Sequence, residues 1–445
     1  VSSQTPAPPP LPAARGPRRE QAYDQSSDSE ATRLLIVSAS MGSGHDTVAA
    51  ELARRARAAG KEAQVVDVLA LLPYGLGDGL RGFYQTAVRH CPWVYAGIYD
   101  FFLRPGPRPR PSGTPLARLA SGRLLRLVRE TRADVVVPVF HLAAQLTGHL
   151  RAHGALRVPS VVVVVDFAVH RQWLHPGNDL HLCVTDEAAD EVRDALGRPA
   201  EAPGPVVAPD FFGTGPGAAG SGGVEPGSVE PGGVEPGASE AGTVGSGAVG
   251  SGASGAGSVG SAARTGGSAR WPDRFERFGG GRPAVLLSAG AWGAGADLAG
   301  TARLLAGHGF LPVVLCGRNE RLRRALSAVP GVLTPGWVTD MPELLRACAA
   351  LVDNAAGQTA VQALAASLPV VGYRPLPGHG AEGVRRMAAL GVSDHARDEA
   401  ALLRSLARLT TDGPERARRI AAGHALFRGD ALTHVVRAGT AGGPS

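Results

Sequence analysis

The chain has 445 residues, room for two domains with cores of their own. Hydrophobic residues at 44% and charged residues at 19% suit globular cores, whereas 61 Gly and 35 Pro concentrate in stretches that cannot form one. The net charge of +6, almost all from arginine, suits anionic lipid, nucleotide phosphate or nucleic acid alike, and no run reaches the ~18 apolar residues of a membrane span.

Residues 1–31, rich in Pro, Gln and Ser, read as a disordered leader with no apolar signal core, so a cytoplasmic protein is expected. Order begins with the strand Leu34-Leu35-Ile36-Val37, a Gly-containing turn and a helix over 46–59 with Val48, Leu52 and Ala56 on one face. Ala63 to Val68 reads as the next strand, completing a parallel strand, helix, strand unit. The turn Ser40-Met41-Gly42-Ser43-Gly44-His45 puts His45 where a strand hands over to a helix, the place open α/β sheets use for ligands. The helix dipole favours a neutral imidazole there, suited to general-base work. A dinucleotide site is the alternative, with Asp67 as ribose acid, but the third glycine of that fingerprint is Thr47.

Gly79 to Leu103 gathers Phe83, Tyr84, Trp93, Tyr95, Tyr99, Phe101 and Phe102 with Arg81 and Arg89, and Arg104, Arg108 and Arg110 follow. Rings flanked by guanidiniums suit a membrane interface, and a core helix pair explains the pattern equally well. Further strands at 134–139 and 160–165 end in Phe140-His141 and in Asp166-Phe167-Ala168-Val169-His170, so polar groups converge on one sheet edge. Asp166 either orients a histidine or caps a turn. Trp173 and His175 follow in an aromatic and imidazole-rich loop whose spacing is not that of a metal site.

Residues 213–270, with Gly-Val-Glu-Pro-Gly at 223–227 and 233–237, read as a disordered linker. Beyond it the first pattern recurs: strand Val285-Leu286-Leu287, a Gly-rich loop from Ser288 to Gly295, a helix over 296–306 and a strand over 312–315. The four cysteines, Cys91, Cys183, Cys316 and Cys348, have neither zinc nor redox-pair spacing and read as small buried hydrophobes. Val352 is strand and Ala356-Gly357 opens a helix, so amides at Gly357, Gln358 and Thr359 are placed to hold a diphosphate without a cation.

The Gly-Ser-Gly-His turn, Gly336-Trp337-Val338-Thr339-Asp340, Asp353-Asn354-Ala355-Ala356-Gly357-Gln358-Thr359 with Gln362, and Pro375-Leu376-Pro377-Gly378-His379 occur in the order found in one family. From Arg33 to Val436, apart from the linker, the chain resembles the monogalactosyldiacylglycerol synthase family and, more distantly, the bacterial transferase that adds N-acetylglucosamine to the peptidoglycan lipid precursor. The resemblance implies a glycosyltransferase B fold: α/β, with two Rossmann-like domains facing across a cleft. The expected domains are an acceptor domain over 32–212, a nucleotide-sugar domain over 271–436 and a disordered tail over 437–445. It further implies an inverting hexosyltransferase that uses a UDP-sugar, needs neither metal nor other cofactor, glycosylates a lipid such as diacylglycerol, and works peripherally at an anionic membrane surface without nucleic acid.

By the same resemblance His45 is the base with Asp166 beside it, Gly44, His141, His170 and Trp173 meet the acceptor, and Gly290, Gly293, Trp337, Val338, Gly357, Gln358, Thr359, Gln362, Gly378 and His379 hold the donor. The family's glutamate at the ribose is here Gln362, an uncharged amide. A soluble-acceptor transferase, a sugar-nucleotide epimerase and a non-catalytic nucleotide-sugar or lipid binder are the competing readings.

Overall fold

The structure, a computed structural model, describes residues 32–104, 112–213, 270–288, 290, 293 and 297–441. The leader, residues 214–269 of the linker, Arg108, Arg110 and five residues of the loop 288–295 lie outside the described residues.

Eleven strands are described, all in parallel ladders. In the N-terminal half they are β1 (Arg33–Ser38), β2 (Glu62–Asp67), β3 (Val135–Pro138), β4 (Val161–Val163), β5 (Leu180–Leu182) and β6 (Ala200–Glu201). Their ladders run β2-β1-β3 and β4-β5-β6, joined by a parallel bridge between Val136 and Ser160. In the C-terminal half β7 (Ala284–Ser288), β8 (Leu311–Leu315), β9 (Ala350–Asp353), β10 (Val370–Tyr373) and β11 (Ser393–Ala396) take the order β11-β10-β9-β7-β8.

Parallel strands with helices on both faces bury both sets of side chains, which is why they read as unbroken apolar runs. In β1, Leu34 and Ile36 enter one core and Leu35 and Val37 the other. In β7, Leu286 packs on one side while Val285 and Leu287 pack on the opposite one. Cys183, Cys316 and Cys348 are buried and Cys91 is half-buried. Burial pushes the thiols of Cys183 and Cys316 up to about 12 and about 11, as for inert core cysteines.

The end of the chain departs from the expected division. The helix Ala431–Ala441 runs into the stretch expected to be a disordered tail, and it packs on the N-terminal sheet rather than on the domain that precedes it. Ala431, Leu432 and Val435 form its apolar stripe beside Leu34, Ile36 and Val135. Gly439 permits the close approach, because a Cβ there would lie 3.3 Å from a Val135 methyl. Arg55 Nη1 donates to Asp430 at 2.8 Å and Arg437 pairs with Glu201 at 3.1 Å, fixing the crossing. Among the described residues no helix is long and apolar enough to cross a membrane.

Candidate active site

On the N-terminal wall, β1 passes through Ser38 into the turn before the helix Ser43–Ala58. Ser38 Oγ donates to Asp46 at 2.7 Å, tying the strand end to the first turn of that helix. His45 Nδ1 lies 2.8 Å from the carbonyl oxygen of Val139, at the end of β3. A carbonyl only accepts, so Nδ1 carries a proton, and the tautomer this contact selects has its lone pair on Nε2. The edge of Phe140 packs at 4.9 Å between centroids and keeps the imidazole in place. Asp67, the ribose acid of the dinucleotide alternative, accepts from Arg81 Nη2 and from the Leu69 amide, both at 2.8 Å.

Behind His45 lies a packed set of rings. His141 stands 5.0 Å from His170 and 6.2 Å from Trp173, and His170 stands 5.9 Å from Trp173. Burial drives His141 down to about 3, with His45 and His379 adding to the effect, and drives His170 well below its ordinary value. Both are neutral at physiological pH. Trp173 was expected to meet the acceptor, but its side chain is 0% exposed and its indole N–H donates to Asp166 Oδ2 at 2.7 Å. Its role in this structure is to hold the carboxylate, and His170, also buried, braces the same oxygen at 3.7 Å. The hydrogen bonds of His45 and Asp166 thus go to Val139 and Trp173 and not to each other.

The C-terminal wall is built at the point where the strand order reverses, between β7 and β9. Asp353, at the end of β9, accepts from the amides of Ala355 at 3.0 Å and Ala356 at 2.6 Å. Burial raises its carboxyl above the usual range, and these amides oppose the shift. The bonds force Ala356 to φ +52° and deliver Gly357 as N-cap of the helix Gln358–Ala365, with no side chain capping its amides. Such amides are what an anion requires. Thr359 and Gln362 are half-buried on this helix. Gln358 uses its side chain otherwise, donating to the Val206 carbonyl at 3.0 Å and so anchoring the helix to the N-terminal half.

Ser288 closes β7, and Gly290 and Gly293 follow at φ +63° and +62°. A Cβ on Gly293 would stand 2.5 Å from Asn319 Cβ, so the loop lies directly on the turn after β8. That turn adds a residue the sequence reading missed. The Arg318 guanidinium lies 5.2 Å above the indole of Trp337, which is 57% exposed. Together with Gly317, Glu320, Arg323 and Gly336 they line a cavity of about 360 Å³. Val338, next to Trp337 in the chain, packs its side chain against the core. An arginine directly after an apolar strand and a glycine was the signal available in Leu315-Cys316-Gly317-Arg318.

The two walls meet. A Cβ on Gly44 would lie 3.5 Å from Gln358 Cβ, so the histidine turn faces the start of the helix Gln358–Ala365. His379, first residue of the helix His379–Ala389, feels the Asp166 carboxylate and His45, and burial lowers its pKa. Among the described residues, no group of three or more His, Cys, Asp or Glu side chains is placed to hold a metal ion.

Residues 45–201 match the family model of monogalactosyldiacylglycerol (MGDG) synthase. The match extends to full-length relatives: a processive diacylglycerol beta-glucosyltransferase of Bacillus thuringiensis (strain Al Hakam) is 22% identical over 428 residues, 91% of this chain and 92% of the relative. The protein of the same name from Bacillus anthracis (strain CDC 684 / NRRL 3495) aligns equally. The chain is thus similar to the monogalactosyldiacylglycerol synthase family over residues 45–201 and to these glucosyltransferases over most of its length. Among solved structures, the glycosyltransferase SnogD from Streptomyces nogalater superposes with a TM-score of 0.52 at 16% identity, covering 93% of this chain and all of SnogD. CalG4, the calicheamicin glycosyltransferase, superposes at 0.50 with 14% identity and covers 93% of this chain and 100% of its own. The chain therefore has the glycosyltransferase B fold, with the histidine wall in one Rossmann-like half and the glycine-rich wall in the other.

Proposed function

We propose that the chain transfers a hexose, with inversion, from a UDP-sugar to the hydroxyl of a lipid acceptor such as diacylglycerol. The observation that carries this reading is the single tautomer of His45, whose Nε2 lone pair is left available by the bond from Nδ1 to Val139. In the proposed step Nε2 takes the acceptor's hydroxyl proton while that oxygen attacks the anomeric carbon, and the bond from this carbon to the UDP oxygen breaks. The amides at Gly357, Gln358 and Thr359 receive the growing negative charge on the diphosphate, the task a cation performs elsewhere, so no metal is required in this scheme. Trp337 and Arg318 hold the base, Gln362 the ribose, and Gly378 and His379 the sugar. His141 and Gly44 border the acceptor, and Trp173 and His170 support Asp166 from behind. The diacylglycerol assignment follows the names of the full-length relatives.

A lipid acceptor needs a surface on which to approach. Trp93, Phe83 and Phe101 are 75%, 53% and 55% exposed on the aromatic stretch, with Arg89 and Arg104 beside them in the chain. Exposed rings with guanidiniums suit peripheral contact with an anionic membrane.

Calorimetric titration without added metal, using UDP with GDP, TDP and NAD as controls, tests the donor half of the proposal; selective UDP binding is expected, and tight NAD binding would overturn it. Transfer of labelled hexose to diacylglycerol in anionic vesicles tests the acceptor half. Hydrolysis of the UDP-sugar with no lipid product would overturn that half alone.

A further inference from the structure

The residues Tyr99–Leu103 form a π-helix, a rare winding that re-aims side chains and recurs at functional sites. Its first residue points inwards and its middle outwards, since Tyr99 is 7% exposed while Phe101 and Phe102 are 55% and 37% exposed. The buried ring lies against Gly378 of the C-terminal half. A Cβ on Gly378 would stand 2.6 Å from Tyr99 Cγ, and φ there is +81°, so space and backbone alike exclude a side chain. The other end of the turn is tied to the histidine wall. Phe102 carbonyl accepts from Gln172 Nε2 at 3.0 Å, and Gln172 Oε1 accepts from the Gly113 amide at 2.7 Å. Gln172 is buried and precedes Trp173, which holds Asp166. One short segment therefore touches both walls, with a ring on one side and a carbonyl on the other.

We infer that Tyr99 is a positioning residue for the donor sugar: its ring, carried by the N-terminal half, sets the main chain at Gly378 and with it the placement of His379. The inference rests on reading Gly378 and His379 as the sugar side of the donor site. His379 follows Gly378 directly and begins its helix, so a displacement at the glycine is a displacement of the imidazole. Base and diphosphate are assigned to Trp337 and to the amides from Gly357 onward, residues other than those in this contact, so UDP alone reads the nucleotide and UDP-hexose adds the sugar.

The test is calorimetric titration of the full chain with UDP, UDP-glucose and UDP-galactose, for the wild type and for Tyr99→Ala, Tyr99→Phe and Gly378→Ala. Tyr99→Ala and Gly378→Ala are expected to weaken the preferred UDP-hexose about tenfold and to leave UDP within about twofold, while Tyr99→Phe keeps both affinities. Retained UDP binding shows that each variant is folded. Equal loss of UDP and UDP-hexose in Tyr99→Ala, or loss of neither, overturns the inference, as does a Tyr99→Phe variant as weak as Tyr99→Ala. A wild type that binds none of the three ligands would instead remove the donor assignment on which the inference rests.

Discussion

The two walls of the cleft solve opposite problems. The N-terminal wall is dry and its polar groups are committed: Ser38 to Asp46, His45 to Val139, Trp173 to Asp166, with buried neutral imidazoles packed between them. The C-terminal wall is made largely of main chain, with a helix start at Gly357 that no side chain caps and glycines at positive φ at 290, 293 and 378. In the proposed reaction the committed side chains aim one proton-accepting atom, and the main chain of the other wall receives an anionic ligand. A group-transfer site needs both, and the proposal draws each from a different half of the molecule.

The comparison breaks most sharply at His45. In the proposed reaction His45→Ala should lower kcat by about 10²–10⁴-fold and leave UDP affinity unchanged, which single-turnover transfer and calorimetry together would check. If both fall together, His45 belongs to the binding wall and the division of labour is wrong.

The dryness of the N-terminal wall should appear in acid. In the same half of the molecule His175 lies half-buried against Gly148 and His181 is buried inside β5, and burial holds His141 at about 3 and these two at about 4 in the folded chain, against about 6.5 when unfolded. The unfolded state then binds more protons below pH 6.5, so stability is complete above that pH and is lost as pH falls towards 4. Each histidine should contribute a slope of up to about 1.4 kcal/mol per pH unit, measurable by urea unfolding at pH 7, 6 and 5. A flat profile would mean that these rings are solvated.

Trp173→Phe keeps a ring of similar shape and removes the N–H that Asp166 receives. A fall of about tenfold in kcat is expected with little change in donor KM, because the indole supports a carboxylate and touches no substrate in the proposed scheme. On the opposite wall, Arg318→Ala should weaken UDP about three- to tenfold, the value of a cation that stacks and meets an anionic ligand, with transfer rate at saturation preserved. The smallest effect is expected of Gln362→Glu. A carboxylate accepts ribose hydroxyls more strongly than an amide, so UDP binding should tighten about two- to threefold, and weakening would place Gln362 elsewhere than at the ribose.

Much of this architecture was legible in the residues alone. The strands at 34–37, 285–287 and 312–315, the turns that follow them and the order of the motifs rest on local rules: an apolar run of strand length, a glycine where the chain must turn, a helix beginning after it. Those rules act over a few residues and need no partner. The position of His45 in the first turn of its helix was legible in this way, whereas its tautomer depends on Val139 and its packing on Phe140.

Tertiary structure decided which face each element covers. Trp173 is a floor and not a lip, because Asp166 and the rings of His141 and His170 close over it. The helix Ala431–Ala441 returns to the first sheet, since its stripe fits Leu34, Ile36 and Val135 and Gly439 lets it approach. Arg318 over Trp337 and Tyr99 on Gly378 join segments far apart in the chain. Periodicity states that a residue will be buried, but which distant surface buries it depends on how the completed layers fit together, and no local pattern encodes that fit.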